Sequence, residues 1–193
     1  RCGLKAVNNA SKILVLYGDV PLIQKETLEQ LIESSDSGLS ILSTVLTNPF
    51  GYGRVKKDSD GNALAIVEEK DASDSEKEIT EIFTGVLCGS RDVIEEGLKA
   101  IGNDNAANEY YLTDLVSILS QNGIKIKTYN ASNDEVKGAN SKQELAQLEA
   151  IYRNMKSEEL FNQGVTIADE SRLDIRGNVT TGRDCSVDVN VIF

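Results

Sequence analysis

Residues 13–19 read Ile13-Leu14-Val15-Leu16-Tyr17-Gly18-Asp19, four apolar residues followed at once by polar ones around a glycine. An unbroken apolar run of this length, closed by turn residues, is the pattern of a strand buried on both faces in a parallel sheet. Such a strand delivers its polar groups at the carboxyl end. Outward from it, Leu28, Leu31 and Ile32 fall at helical spacing within 27–34, and 39–46 returns as a second apolar run. Together these predict a βαβ unit. Gly51, Gly53 and the cluster Asp58-Ser59-Asp60-Gly61-Asn62 bracket two short extended stretches, which predicts a hairpin ending near Glu68. The polar stretch 71–77 is expected to be a short helix, 82–87 a strand, and Val93, Ile94, Leu98 and Ile101 the apolar face of a helix. Residues 102–109 read as a polar loop. Leu112, Leu115, Val116 and Leu119 form a helical stripe that Gly123 ends, and 124–129 alternates as a strand.

Beyond residue 140 the pattern changes twice. Leu145, Leu148, Ile151, Tyr152, Met155 and Leu160 describe one long helix over 141–161, with Asn140 and Gln143 as its expected capping box. It reads as a spacer. After Gly164, Leu173, Val179, Cys185 and Val191 recur every six residues, with Ile175, Thr181, Val187 and Phe193 two positions behind each. A six-residue period is the signature of a parallel β-helix; alternating strands at a domain edge are the plainer reading.

Of the 193 residues, 20 are basic and 31 acidic, so the net charge is -11. This argues against nonspecific affinity for nucleic acid or an anionic membrane, and any phosphate must be held locally. No apolar run approaches the ~18 residues of a membrane span. With no histidine in the chain, imidazole bases, histidine triads and His-ligated zinc or haem are excluded from it. Cys2, Cys88 and Cys185 form no close pair and read as reduced thiols of a cytoplasmic protein. The chain opens at Arg1, with Leu4, Ala6 and Val7 as the expected tail of a helix, and stops within an apolar run at Phe193. It reads as an internal piece of a longer protein.

Asp19 stands where a carboxylate at the end of a buried strand can hold Mg²⁺ against a nucleotide phosphate, or can simply order the turn before Pro21. Gly51 and Gly53 either let backbone approach a ligand or make a plain turn. The charged run at 68–71 is a solvated face or part of a site. Asn140 is a helix cap or a ligand.

These motifs occur together in one family. Leu-Tyr-Gly-Asp-Val-Pro-Leu at 16–22, Asn-Pro-Phe-Gly-Tyr-Gly-Arg at 48–54, Ile-Val-Glu-Glu-Lys-Asp at 66–71, Asn-Glu-Tyr-Tyr-Leu-Thr-Asp at 108–114 and Glu-Val-Lys-Gly-Ala-Asn at 135–140 stand in the family's order. Over practically its whole length the chain resembles the bacterial bifunctional N-acetylglucosamine-1-phosphate uridylyltransferases and glucosamine-1-phosphate N-acetyltransferases. The resemblance implies an α/β fold: a Rossmann-like nucleotidyltransferase (pyrophosphorylase) domain over 1–140, truncated at its N-terminus. A connecting helix over 141–164 and the first coils of a left-handed parallel β-helix over 165–193 would follow. It implies transfer of UMP from UTP to N-acetylglucosamine 1-phosphate, giving UDP-N-acetylglucosamine and pyrophosphate with Mg²⁺ as cofactor. By the same resemblance Asp19 and Asn140 would be metal ligands, Tyr17 and Gly18 would adjoin the nucleotide sugar, and Gly53 and Glu68 would meet the N-acetylglucosamine. Acetyl-CoA and the contacts of a homotrimer would belong to a missing continuation of the β-helix. The family's glycine-rich phosphate loop precedes everything present here, so the fragment alone is expected to be inactive and poorly stable. At Phe83 the family has a sugar-contacting asparagine, and at Phe50 a small polar residue. These departures leave a silent nucleotide-sugar-binding module or an oligomerisation fragment as alternatives to the enzyme.

Overall fold

Strand β2 (Leu39–Val45) is buried from Leu39 through Thr44 and has a strand on either side, which makes it the centre of the fold. The computed structural model describes Gly3, Val7 and residues 9–193, and falls into two units, one ending at Val136 and one of Lys137–Phe193. The helix tail expected at Leu4 and Ala6, and Cys2, lie outside the described residues.

In the first unit β1 (Lys12–Val15) leads through α1 (Lys25–Ser34) to β2. The hairpin β3 (Arg54–Lys57) and β4 (Ala63–Val67) follows, then α2 (Asp74–Lys77), the long β5 (Glu81–Ser90), α3 (Arg91–Ala100), α4 (Asp114–Gln121) and β6 (Ile126–Asn130). The sheet order is β4-β3-β5-β2-β6, with β1 also on β5. Strand β6 is parallel to β2, while β5 is antiparallel to β1, β2 and β3. The predicted adjacent βαβ unit is therefore corrected. Strands β1 and β2 do run the same way around α1, but β5 lies reversed between them.

The expectation that β1 is buried on both faces is corrected too. It is only half-buried throughout, because β5 is its one strand partner among the described residues. Side chains on the two faces of the sheet feed two cores. Leu39, Ile41, Phe83, Leu87 and Ile126 pack with Ile94 of α3 and Leu115, Val116 and Leu119 of α4. Leu42, Val86 and Cys88 pack with Leu31 of α1. Buried Ser40 is paired inside: its Oγ donates to Leu31 O at 2.7 Å. Helix α1 has no cap from its own N-cap residue Gln24; instead Glu135 accepts from Gln24 N at 3.4 Å and Thr27 Oγ1 at 2.6 Å. A carboxylate at a helix N-terminus satisfies orphan donors and complements the dipole.

In the second unit α5 (Lys142–Asn162) is capped by Ser141, whose side chain accepts from Glu144 N. Glu144 in turn accepts from Asn140 N at 2.6 Å. The capping residues thus sit one position later than the expected Asn140 and Gln143. Ser141 has the extended backbone a cap requires, and Gln143 is one residue short of the N3 position that can reach back. Leu145 and Tyr152 of the expected stripe are exposed, whereas Leu160 packs with Val165, Leu173, Ile175 and Val187. Strands β7 (Thr166–Ile167) and β9 (Ser186–Val187) pair in parallel, as do β8 (Leu173–Asp174) and β10 (Val191–Ile192). The partners lie 20 and 18 residues apart in Thr166↔Ser186 and Leu173↔Val191, about three periods of six.

Cys88 is a buried free thiol and Cys185 a half-buried one. No helix among the described residues is long and apolar enough to cross a membrane.

Gly97 lets α3 lie directly on α4, since a Cβ there would stand 2.2 Å from Leu115 Cδ1 and 3.3 Å from Leu119 Cδ2. Gly97→Ala gains about 1 kcal/mol of helix propensity, but forcing a methyl against a fully buried leucine costs about 1–3 kcal/mol. The clash wins: urea unfolding followed by circular dichroism is expected to show a lower midpoint. A higher midpoint would contradict this helix contact.

Candidate active site

Two strands meet end to end along one edge of β5. Strand β1 pairs with Ser90 back to Leu87, and β3 takes over at Ile82, where Phe83 N donates to Gly53 O at 2.9 Å. Both run against β5, so the carboxyl end of β1 faces the amino end of β3 across residues 84–86. On the other edge the ladder to β2 is broken at the same place: Ile41 opposes Leu87, yet Ser43 opposes Phe83. Strand β5 carries extra residues there, a bulge centred on Gly85 at φ +86. Thr84 Oγ1 donates to Leu42 O at 2.9 Å and satisfies a carbonyl at the break.

Tyr17 lies flat on this glycine. A Cβ at Gly85 would stand 2.2 to 2.6 Å from carbons of the Tyr17 ring, so no other residue admits the ring. Chain 17–19 leaves β1 beside the bulge, with Tyr17, Gly18 and Asp19 exposed. From the other side comes the turn 51–53, in which Gly51 adopts φ +86. At Gly53 a Cβ would meet Ile66 Cγ2 at 2.7 Å and the two Glu68 carboxylate oxygens at 3.5 and 3.6 Å. The backbone of Gly53 is therefore pressed against Ile66, with the Glu68 carboxylate beside it at ordinary contact distance. Thr113, buried at the start of α4, donates to Glu68 Oε1 at 2.7 Å.

The electrostatics tie these groups together. Partial burial, then the negative charges of Glu68 and Asp19, push the Tyr17 phenol above its usual range. Burial followed by Glu68 and Asp71 raises the Asp114 carboxyl, and burial followed by Asp71, Glu109, Glu68 and Asp114 raises Tyr111. The site is one shared negative field. Asp19 takes no hydrogen bond or ion pair among the described residues, leaving its oxygens free. No group of three or more acidic or cysteine side chains among the described residues gathers to hold a metal ion. A lone carboxylate with unengaged oxygens is a hard donor of the type a divalent cation takes together with phosphate oxygens.

Of the residues singled out from sequence, the structure brings Gly53 and Glu68 together and sets Tyr17, Gly18 and Asp19 at the end of β1. Asn140 stands exposed in the second unit, its backbone N–H bound to Glu144. Phe83, where the resemblance implies a sugar-contacting asparagine, faces the core. Its ring is 6% exposed and packs in the core with Leu39, Val55 and Leu87, because it points to the α3 and α4 side of the sheet. Phe50 is exposed and fills no pocket. Gly85, Thr113 and Arg54 were missed. A glycine inside the apolar run 82–87 is a signal for a bulge or a close backbone approach.

No family model matches the chain. Solved structures define the class by fold. A CMP:2-keto-3-deoxy-manno-octonic acid synthetase complexed with CTP has TM-score 0.53 and 18% identity, covering 81% of this chain and 66% of that one. A protein described as a glucose-1-phosphate thymidylyltransferase from Bacillus anthracis, in complex with sucrose, has TM-score 0.57 and 15% identity, covering 78% and 58%. The fold is the Rossmann-like α/β fold of sugar nucleotidyltransferases, built on a mixed sheet.

Sequence relatives are more particular. The chain is 44% identical over 194 residues to the bifunctional protein GlmU of Psychrobacter sp., covering 100% of this chain and 43% of the relative. It is 45% identical over 190 residues to that of Methylococcus capsulatus, covering 97% and 41%, and 47% identical over 178 to that of Alcanivorax borkumensis, covering 91% and 39%. Over practically its whole length the chain is similar to these GlmU proteins, and it spans about two fifths of the length of these curated relatives.

If Tyr17 needs the bare backbone at residue 85, Gly85→Ala combines a left-handed backbone unfavourable to alanine with loss of the ring contact. The expected cost is about 2 kcal/mol, falling to about 1 kcal/mol in a Tyr17→Ala background where only the backbone strain remains. Chemical denaturation of the four proteins measures the coupling. Equal costs in both backgrounds would remove the ring from Gly85.

Proposed function

We propose that this chain is part of an enzyme that transfers UMP from UTP to N-acetylglucosamine 1-phosphate. A phosphate oxygen of the sugar phosphate attacks the α-phosphorus of UTP. The bond to the β-phosphate breaks, leaving UDP-N-acetylglucosamine and pyrophosphate. The observation that carries this reading is the convergence of 17–19 and Gly53 with Glu68 on the β5 bulge, in a chain that is GlmU-like throughout. In open α/β sheets ligands bind outside the carboxyl ends of strands, where neighbours change.

Within this reading Tyr17 and Gly18 flank the nucleotide sugar, while the Gly53 backbone and the Glu68 carboxylate receive the sugar hydroxyls. Thr113 holds Glu68 in place through its 2.7 Å hydrogen bond. Asp19, with its free oxygens, is a ligand for Mg²⁺, and Asn140 is the second ligand that the resemblance implies. When bound, Mg²⁺ supplies neutralisation of the charge that develops on the phosphates. Such neutralisation is needed here, since the groups around the bulge are acidic and both substrates are anionic.

For the second unit we propose that the parallel pairs at separations of 18 and 20 residues are the first turn of a left-handed parallel β-helix, with α5 as the connecting helix. An acetyltransferase using acetyl-CoA, and a homotrimer, would be properties of its continuation. The working place of such an enzyme is the cytoplasm. A second reading, a nucleotide-sugar-binding module without turnover, is favoured by one observation: a core phenyl ring stands at residue 83, where the resemblance implies a sugar-binding amide.

Pyrophosphate release by the full-length protein that carries this chain tests both readings. The wild type is expected to turn over only with Mg²⁺, and Asp19→Ala to lower the rate about a hundredfold or more while the fold is kept. Equal rates at saturating Mg²⁺ would exclude the metal role. Binding of UDP-N-acetylglucosamine with no release of pyrophosphate would establish the second reading.

A further inference from the structure

Arg54 is the largest of the fully buried side chains among the described residues, at 2% exposure. Burying a guanidinium is costly, and a buried ion pair is often no more stabilising than apolar residues of the same volume. Here the cost is not fully offset, because Nε has no hydrogen-bond partner among the described residues. What the side chain does make is directed to one turn and its support. Nη1 donates to the carbonyl of Tyr52, and Nη2 donates to Glu69 Oε2 at 2.6 Å. The same Glu69 oxygen accepts from Gly51 N at 3.2 Å. Turn 51–53 is thus gripped at a carbonyl by Arg54 and at an N–H by Glu69.

The grip reaches the site by two covalent steps. Gly53 is the residue before Arg54, and Glu68 is the residue before Glu69. These two groups stand side by side across the hairpin, with Glu68 oxygens 3.5 and 3.6 Å from where a Gly53 Cβ would stand. Opposing Arg54 with Val67 in the β3–β4 register fixes how far along the hairpin they meet. A guanidinium can do this because its planar fork presents two donors at a fixed angle, whereas a lysine offers one compact charge on a flexible stem.

We propose that Arg54, acting with Glu69, is a positioning residue that sets the Gly53 backbone against Glu68 for recognition of the sugar phosphate. This rests on the reading that Gly53 and Glu68 meet the sugar, and it assigns to a buried pair the geometry of that subsite.

Steady-state kinetics of the full-length protein, with both substrates varied, test it in Arg54→Lys, Glu69→Gln and Glu68→Gln. Arg54→Lys is expected to raise the KM for N-acetylglucosamine 1-phosphate about tenfold, with the KM for UTP changed by no more than about twofold. Glu69→Gln should act in the same direction by about threefold, and the double variant should be no worse than Arg54→Lys, because the two share one network. Glu68→Gln is the control on the underlying reading. If it leaves the sugar-phosphate KM unchanged, the sugar assignment of Gly53 and Glu68 fails. If it raises that KM while the other two folded variants do not, the positioning role fails and the reading stands. Equal rises in both KM values would also overturn the proposal. Should Arg54→Lys fail to fold by circular dichroism, Glu69→Gln decides, since it keeps the shape and the acceptor for Gly51 N–H.

Discussion

The break in the β5 ladder is the constraint on which the rest of the site depends. A two-residue step on β2, from Ile41 to Ser43, is matched by a four-residue step on β5, from Leu87 to Phe83. The surplus is taken up at Gly85 by a backbone that favours glycine. Without a side chain there, the Tyr17 ring can cover the bulge, and the chain can turn away from β1 with Asp19 free at the surface. The carbonyl orphaned at Leu42 is met by the Thr84 hydroxyl, so the irregularity carries no buried unpaired acceptor at that point.

Around this break the charge is one-sided. Burial first, and then the charges of carboxylates among Glu68, Asp71, Glu109, Asp114 and Asp19, displace the proton affinities of Tyr17, Tyr111 and Asp114 upward. A field of this sign repels phosphate, and the whole chain, at net charge -11, adds to the repulsion. Under the proposed function a divalent cation arriving with the nucleotide would resolve the conflict, and Asp19, which takes no hydrogen bond or ion pair among the described residues, would be the carboxylate to receive it. Arg54, a basic group beside the site, is already committed inside the hairpin to Tyr52 and Glu69.

The second unit shows a different way of making order from short strands. Two-residue pairs stabilise little alone, and here they are joined by a small apolar cluster of Leu160, Val165, Leu173, Ile175 and Val187. The last turn of α5 contributes Leu160 to that cluster, so the helix and the short strands share one core. Leu173 and Val191, two members of the six-residue repeat, are also parallel partners 18 residues apart, so at this pair the sequence repeat coincides with strand pairing.

Local patterns were enough to determine most elements. Apolar runs, helical stripes and turn residues placed β2 to β6, α1, α3, α4 and α5, and the motifs around Asp19, Gly53 and Glu68 pointed to the candidate site. These signals are legible because they are written within a few residues, in side-chain period and backbone permission. What tertiary structure alone decided was direction and partnership. That β5 runs reversed between β1 and β2, that Phe83 faces the α3 and α4 core, that Thr113 reaches Glu68 across 45 positions and that Arg54 is buried against Glu69 all depend on which strand lies beside which. Strand pairing is a long-range choice, made by the packing of both sheet faces at once, and no window of sequence contains both partners.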